Sequence, residues 1–218
     1  MSDNNIKIII APAKKMRVDQ DTFLVKSEPA FLDKTQELLD FLKTRSFNQL
    51  QDLWKANDNI VRTNQHNLVT SELDSNLTPA LLAFSGIQYQ YLAGDVLPQE
   101  GLDYLQDHLR ILSGFYGILR PFDGIIPYRL ELKTQMTGFK YYSLYNFWKD
   151  LPYQELFADT DTVINLASLE YSRLISPYLK DSQKMKTENG DKVLHMLRWR
   201  EERWFALRPK KELIDRKI

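Results

Sequence analysis

The chain contains no cysteine among its 218 residues and only 8 glycines. Without cysteine it can form no disulfide, thiolate metal site, iron–sulfur cluster or redox thiol. Its glycines form neither a GxGxxG nor a GxxxxGKS/T loop, which excludes the two phosphate cradles that those motifs build. The three histidines, His66, His108 and His195, are too widely spaced for an HExxH zinc motif. We therefore expect neither a metal site nor a cofactor.

Long apolar runs are also missing from the sequence. No stretch approaches the roughly 18 apolar residues of a membrane-spanning helix. The first ten residues, MSDNNIKIII, do not have the pattern of a signal peptide. We therefore expect a cytoplasmic monomer with no membrane partner.

The overall charge is balanced but unevenly distributed. Hydrophobic residues make up 43% and charged residues 27%, as in a globular domain, and 29 basic residues balance 29 acidic ones. Residues 109–142 carry five bases and two acids, whereas residues 150–161 carry four acids and no base. Such blocks fit either a basic binding face or chance clustering on a solvated surface, and the sequence leaves both open.

Hydrophobic periodicity predicts the main secondary structure. Residues 6–11 (IKIIIA) and 163–167 (VINLA) have the apolar, β-branched composition of buried strands. Apolar residues at helical spacing predict helices over 31–42 and over 102–112, the second ending near Gly114. Because neither a linker nor a repeat interrupts this pattern, we predict an α/β (mixed α+β) fold. Its single compact domain would have a central mixed sheet and flanking helices.

Local signals add three further predictions. Ser46 and Gln49 have the spacing of a capping box, which predicts a helix start. Thr78 and Pro79 predict a short helix that runs through Phe84. Asn189-Gly190, between KMKTE and DKVLHM, predicts a β-hairpin.

The first candidate site follows the first strand. Residues 11–17 (APAKKMR) place Lys14 and Lys15 at the carboxyl end of a strand, where ligands often bind in α/β folds. A lysine is a flexible point charge suited to phosphate or carboxylate. The alternative is an ordinary solvated pair of lysines.

The second candidate site lies within residues 109–133, which contain two arginines beside proline-containing turns. Arg120 precedes Pro121, and Arg129 follows Pro127-Tyr128. Proline restricts the local backbone, so each guanidinium could be held ready for phosphate or carboxylate oxygens, with Tyr128 offering a ring for stacking. The alternative is that the arginines pair with Asp123 and Glu131, and that aromatic residues such as Phe115 and Phe122 belong to the core.

The third candidate site is the end of the second predicted strand. Asn165, Ser168 and Tyr171 would surround a strand end and a helix start, where free backbone N–H groups favour an anion. Ser168 is a better candidate for a helix cap than for a nucleophile, because no histidine lies near it in sequence. The three segments together predict a cationic pocket for anions.

These segments, in this order, resemble the YaaA family of peroxide-stress proteins. The resemblance rests on APAK, on LRILSGFYGILRP followed by PYRLE, and on VINLAS followed by EY, and it spans nearly the first 195 residues. It implies a bacterial cytosolic protein associated with resistance to hydrogen peroxide and restraint of free iron. It also implies a compact α/β fold with a positively charged cleft, for which binding of nucleic acid, such as double-stranded DNA, has been proposed. Lys14, Arg120, Arg129, Asn165 and Ser168 fall on motif residues, and no catalytic activity or cofactor is implied.

Two functional predictions follow from the residues and the resemblance together. The first is a peroxide-stress protein that binds nucleic acid through a basic cleft. The second is an enzyme that acts on a small phosphate or carboxylate compound in the same cleft. We favour binding because no acid–base pair or activated nucleophile is recognisable in the sequence.

The last residues depart from the pattern that the resemblance implies. We divide the chain into a YaaA-like domain, residues 1–196, and an aberrant basic tail, residues 197–218. Family members are expected to continue with a basic KxARG segment, whereas this chain continues LRWREERWF. Suitable codons for Arg198 to Arg203, read in a shifted frame, encode Lys-Met-Ala-Arg-Gly-Glu-Met, so we interpret the tail as frame-shifted. That interpretation predicts a weakened or inactive member of the family, and sequencing the gene tests it.

Overall fold

A computed structural model describes residues 6–92 and 94–187. Its centre is a five-stranded mixed sheet surrounded by helices, which confirms the predicted α/β fold. The described strands are β1 (Lys7–Ile10), β2 (Lys15–Met16), β3 (Thr78–Pro79), β4 (Phe84–Ser85), β5 (Leu109–Ser113), β6 (Gly117–Leu119), β7 (Gly124–Ile125), β8 (Thr162–Asn165) and β9 (Lys184–Thr187). The described α-helices are α1 (Leu32–Lys43), α2 (Phe47–Trp54), α3 (Asp58–Thr70), α4 (Ala80–Ala83), α5 (Ile87–Leu92), α6 (Gln99–His108), α7 (Leu144–Trp148), α8 (Leu151–Leu156) and α9 (Leu169–Ser172).

The order of strands in the sheet determines where a site can form. The order is β6-β5-β1-β8-β9, with β1, β5, β8 and β9 parallel and β6 antiparallel to β5. Ile9 at the centre of β1 lies opposite Arg110 on β5 and Asn165 on β8. Strands β5 and β6 lie on one side of β1 in the sheet, and strands β8 and β9, which come later in the chain, lie on its other side. The sheet therefore has a topological switch point between β1 and β8.

The predicted strands and the capping box are confirmed. The range 6–11 contains β1 (Lys7–Ile10), whose Ile9 and Ile10 are buried, and the range 163–167 overlaps the end of β8 (Thr162–Asn165). Ser46 Oγ accepts a hydrogen bond from the backbone N–H of Gln49 at 3.3 Å. Gln49 Oε1 accepts one from the backbone N–H of Ser46 at 2.9 Å. This reciprocal pair fixes the start of α2.

The prediction of a helix over residues 102–112 is wrong in its second half. Helix α6 ends at His108, and Leu109–Ser113 forms β5 instead. All five residues of β5 are buried, because β1 and β6 flank the strand. A fully buried strand needs only a continuous apolar run, and here the leucine spacing happens to match a helix.

Two local predictions also need adjustment. Thr78 and Pro79 form β3, paired with β7, so the short helix α4 begins only at Ala80. The residues before Asn189-Gly190 form β9, which pairs in parallel with β8. The hairpin turn itself lies outside the described residues, as does the predicted tail. No helix in the described part of the chain is both long and apolar enough to span a membrane.

Candidate functional site

The candidate site lies at the carboxyl edge of the central sheet. The loop after β1 (residues 11–14) and the loop after β8 (residues 166–168) leave the sheet at the switch point between these strands. Crevices at such points are common ligand sites in α/β proteins because neighbouring loops diverge there. Here both loops contribute to the wall of one cavity.

A third segment, residues 128–133, passes over the same edge because Gly114 lets it approach closely. A Cβ atom added to Gly114 would lie 2.5 Å from the backbone oxygen of Leu130, so no larger residue fits there. The carbonyl of Gly114 accepts a hydrogen bond from Trp148 Nε1 at 2.9 Å, which fixes the position of the backbone at Gly114. Arg129 and Glu131 flank Leu130 and are thereby held over the sheet.

Two neighbouring cavities share this segment. The smaller cavity has a volume of about 230 Å³ and is lined by the loops after β1 and β8 and by residues 128–131. The larger one, about 520 Å³, extends away from the sheet towards the turns that flank α2. Both are lined by Lys14, Arg129, Glu131 and Lys133. We call the two cavities together the basic groove.

Arg129 lines both cavities and has no ion pair with any carboxylate in the described part of the chain. No carboxylate of residues 6–92 or 94–187 forms an ion pair with its guanidinium, and its Nε is buried without a hydrogen-bond acceptor. The predicted alternative, a pair with Glu131, is therefore absent in this part of the chain. A buried donor without an acceptor costs about 1–3 kcal/mol, so an incoming anion would relieve an existing penalty.

Two of the three lysines that line the groove, Lys14 and Lys133, are held in a chain of ion pairs. Lys14 lies 2.9 Å from Glu131, Glu131 lies 3.6 Å from Lys133, and Lys133 lies 3.5 Å from Glu170. Glu170 and then Glu131 raise the pKa of Lys133, so its ammonium group stays charged. Exposed pairs of this kind are weak. The lysines can therefore exchange a carboxylate for a ligand phosphate at small cost.

Tyr128 belongs to the core and also to the wall of the smaller cavity. Its ring stacks on Phe115, with centroids 4.9 Å apart. Ser113 Oγ accepts hydrogen bonds from the backbone N–H groups of Phe115 and Tyr116 and lies 2.8 Å from Tyr128 Oη. Because both lone pairs of Ser113 Oγ are used, its hydroxyl hydrogen is donated to Tyr128. The ring face that we expected to be free for stacking is covered by Phe115.

The phenols of the groove are neutral at physiological pH. Burial raises the pKa of Tyr128. Burial, and then the neighbouring Tyr128, raises the pKa of Tyr171, which lines the smaller cavity. Both phenols are therefore hydrogen-bonding groups and are not tyrosinate bases.

The loop after β8 separates its two predicted site residues. Asn165 is buried, and its Oδ1 accepts a hydrogen bond from the backbone N–H of Ala167 at 3.0 Å, so it shapes the loop. Ser168 is exposed and lines the smaller cavity. It lies at the N-cap position of α9, as predicted, but its side chain makes no capping hydrogen bond. Helix α9 has four residues, and the carbonyl of Ser168 accepts from Tyr171 and Ser172 instead.

Arg120 and Lys15 do not line the basic groove. Strand β6 is antiparallel to β5, so Arg120 emerges at the opposite edge of the sheet, beside Arg110. Its guanidinium pairs with Glu155 at 3.2 Å, and its contact with Asp123 is through its backbone N–H, at 2.7 Å. Lys15 is exposed on β2, which pairs with β4. Phe115 and Phe122 are buried, as the alternative interpretation predicted.

Sequence reasoning missed the residues that the turns around α2 contribute. Arg45, Gln49, Asp52, Trp54 and Lys55 line the larger cavity. Lys55 ends α2 in the left-handed conformation, at φ 46°. The one local signal was the capping box at Ser46, which indicated a helix but not what it faces. Within the described residues, no group of three or more His, Asp or Glu side chains is arranged as a metal site.

Comparison with known proteins covers this whole region. A family model described as peroxide stress protein YaaA matches residues 6–196. The chain belongs to this family. Similar curated relatives are UPF0246 proteins of Lactobacillus helveticus (58% identical) and Lactobacillus acidophilus (57%), both over 182 residues, 84% of this chain and 72% of the relative. Another, from Lactiplantibacillus plantarum, is 51% identical over 180 residues, 83% of this chain and 73% of the relative. Every residue of the basic groove lies within the family match of this YaaA protein.

Proposed function

We propose that this YaaA-family protein binds the phosphate groups of nucleic acid, such as double-stranded DNA, in its basic groove. The observation that carries the proposal is Arg129, which lines both cavities without a carboxylate partner among the described residues. A guanidinium fits phosphate oxygens with two parallel hydrogen bonds. Phosphate does not have to displace a carboxylate from Arg129, because none of the described residues forms an ion pair with it.

The charge of the basic groove supports the same proposal. Five basic side chains line it, against three acidic ones, although the formal charge of the whole chain is zero. The bases are Lys14, Arg45, Lys55, Arg129 and Lys133, and the acids are Asp52, Glu131 and Glu170. A local excess of cations attracts a polyanion and fits contacts to backbone phosphates. Such contacts are nearly independent of base sequence.

The proposed role in peroxide stress is indirect protection. With no cysteine the chain cannot reduce peroxide with a thiol. A monomer in the cytoplasm that covers DNA would instead limit damage from iron and hydrogen peroxide at the target. The family name supports the connection with peroxide, and the groove supports the connection with a polyanion.

Titration of a labelled DNA duplex by fluorescence anisotropy, at several salt concentrations, tests the proposal. We expect binding that weakens steeply between about 50 and 200 mM salt. Arg129→Gln should weaken it at every sequence and lower the salt slope by about 1. The matched control is Arg120→Gln, which removes an arginine at the opposite edge and should leave the affinity unchanged. Equal losses in both variants, or no binding by the parent protein, would contradict the proposal.

A small anionic substrate is a second candidate, favoured by the composition of the smaller cavity. Ser168 and the neutral phenols of Tyr128 and Tyr171 line it beside Arg129. These groups can hold a phosphate or carboxylate compound and donate hydrogen bonds to it. Isothermal titration with a set of such compounds separates the candidates. Saturable binding of one compound, together with no affinity for DNA, would favour the enzyme.

A further inference from the structure

We infer that the larger cavity of the basic groove contains a subsite for a single phosphate group, in which Trp54 and Arg129 supply the hydrogen-bond donors. The inference deepens the proposed function by assigning this position within the groove, and it rests on that proposal only for the source of the phosphate. The experiment below uses inorganic phosphate first, so it can fail or succeed without any DNA binding.

Two buried donors without acceptors, on residues that line the same cavity, carry the inference. Trp54 is 7% exposed, and its Nε1 has no acceptor within the described residues. Arg129 Nε is also buried without an acceptor among the described residues, and both residues line the 520 Å³ cavity. Native structures satisfy most buried polar groups, so two unsatisfied donors beside one cavity indicate a missing acceptor. In contrast, Trp148 Nε1 donates to Gly114, which shows that the fold can satisfy a buried indole.

The position of Trp54 is fixed by its helix. The capping box at Ser46 and Gln49 anchors the start of α2, and Lys55 in the left-handed conformation ends it. Helix α3 begins three residues after Lys55, capped by Asn57, whose side-chain oxygen accepts from the backbone N–H of Ile60 at 3.1 Å. The backbone at Trp54 is therefore fixed at the junction of α2 and α3. The buried indole has little freedom to reach another acceptor.

The chemistry of the wall selects an anion. Indole and guanidinium groups donate hydrogen bonds and accept none, so the ligand must supply acceptor oxygens. Arg45, Lys55 and Lys133 line the same cavity and favour negative charge. Two acids also line this cavity: Glu131 is paired with Lys14 and Lys133, and Asp52 is outnumbered by the cations. A phosphate group has enough oxygens to serve two donors and a cationic rim at once.

Because both nitrogen atoms are buried, a bound ligand can reach them only after a side chain moves. Each nitrogen is shielded from solvent and has no hydrogen-bond partner among the described residues. An incoming oxygen must therefore reach it through a small side-chain adjustment. We expect the indole N–H resonance of Trp54 to report that adjustment directly.

NMR of the full chain with ¹⁵N-labelled tryptophan, titrated with inorganic phosphate at constant ionic strength, tests the inference. Trp54→Phe keeps an aromatic ring and assigns the resonance by its disappearance. We expect a saturable downfield shift of the Trp54 indole signal, whereas the Trp148 signal, already hydrogen-bonded, stays in place. Chloride at the same ionic strength should cause no saturable shift. Absence of a saturable shift at Trp54 would overturn the inference.

Two variants each remove one hydrogen-bond donor and leave the charge of the groove unchanged. Arg129→Lys keeps the charge but removes the Nε–H donor, and Trp54→Phe removes the indole donor. Each should weaken phosphate binding by roughly tenfold to a hundredfold, as expected for one lost hydrogen bond to a charged group. Circular dichroism checks that both variants are folded. Unchanged phosphate affinity in both folded variants would overturn the inference.

A comparison of oligonucleotides distinguishes the source of the phosphate. A 5′-phosphorylated strand and its unphosphorylated counterpart are titrated while the Trp54 resonance is observed. If both strands shift the Trp54 resonance, a backbone phosphate occupies the subsite. If only the 5′-phosphorylated strand shifts it, a terminal phosphate does. If inorganic phosphate shifts Trp54 but neither strand binds, the subsite stands and the proposed function fails. If DNA binds while neither inorganic phosphate nor either strand changes the Trp54 resonance, the subsite is overturned and the proposed function stands.

Discussion

Replacing Gly114 by alanine tests how the basic groove is built. The new Cβ would lie 2.5 Å from the Leu130 oxygen, whereas ordinary contacts begin at 3.4 Å, so the backbone beside Arg129 must move by about 0.9 Å. Overpacking of this kind costs about 1–3 kcal/mol. For a chain of this length each kcal/mol lowers Tm by about 2–4 °C, so we expect a Tm about 2–12 °C lower.

The matched control is Gly101→Ala in α6. The nearest atom to a Cβ there is 3.6 Å away, an ordinary contact, and alanine is the better helix former. This variant should be as stable as the parent protein or more stable by up to about 1 kcal/mol. Differential scanning calorimetry measures both Tm values, and DNA titration checks that Gly114→Ala also loses affinity. A Gly114→Ala protein with unchanged Tm and unchanged affinity would refute the proposed packing of residues 128–133.

Further predictions concern Ser46 and Asp123, beside those already given for Arg129 and Trp54. Ser46→Ala removes one half of the capping box and should lower the free energy of unfolding by about 1 kcal/mol. Urea denaturation measures this change, and an unchanged urea midpoint would contradict the assigned cap. Burial raises the pKa of Asp123 above its ordinary value of 3.8, despite its hydrogen bonds from Ser27 and from the backbone of Arg120. The folded state thus holds the proton more tightly than the unfolded state, so the contribution of Asp123 to stability falls as pH rises from 3.8 through its raised pKa. Carboxyl ¹³C NMR measures that pKa, and a value at or below 3.8 would show that the hydrogen bonds outweigh burial.

The sequence predicted those parts of the fold that depend on local patterns. Strand β1 and the start of α2 were predictable because a β-branched run and a capping box act within a few residues. The boundary between α6 and β5 was not, because burial between β1 and β6 decides it and leucine spacing does not. Such long-range pairing overrides local periodicity.

The candidate site was predictable only in part. Lys14, Arg129 and Ser168 line the groove because each lies in a segment that passes over the carboxyl edge of the sheet. Arg120 was misplaced because β6 runs antiparallel, which reverses the edge at which its last residue emerges. Trp54 and Lys55 were missed because they meet residues 129–137 only across a cavity formed by the tertiary fold, and no motif encodes that arrangement.

A crystal structure of this protein with a short DNA duplex would test the central claim most directly. We predict that a backbone phosphate lies within hydrogen-bonding distance, about 3 Å, of the Arg129 guanidinium in the basic groove. A duplex bound instead at the opposite edge, beside Arg110 and Arg120, with the basic groove left empty of phosphate, would contradict the account.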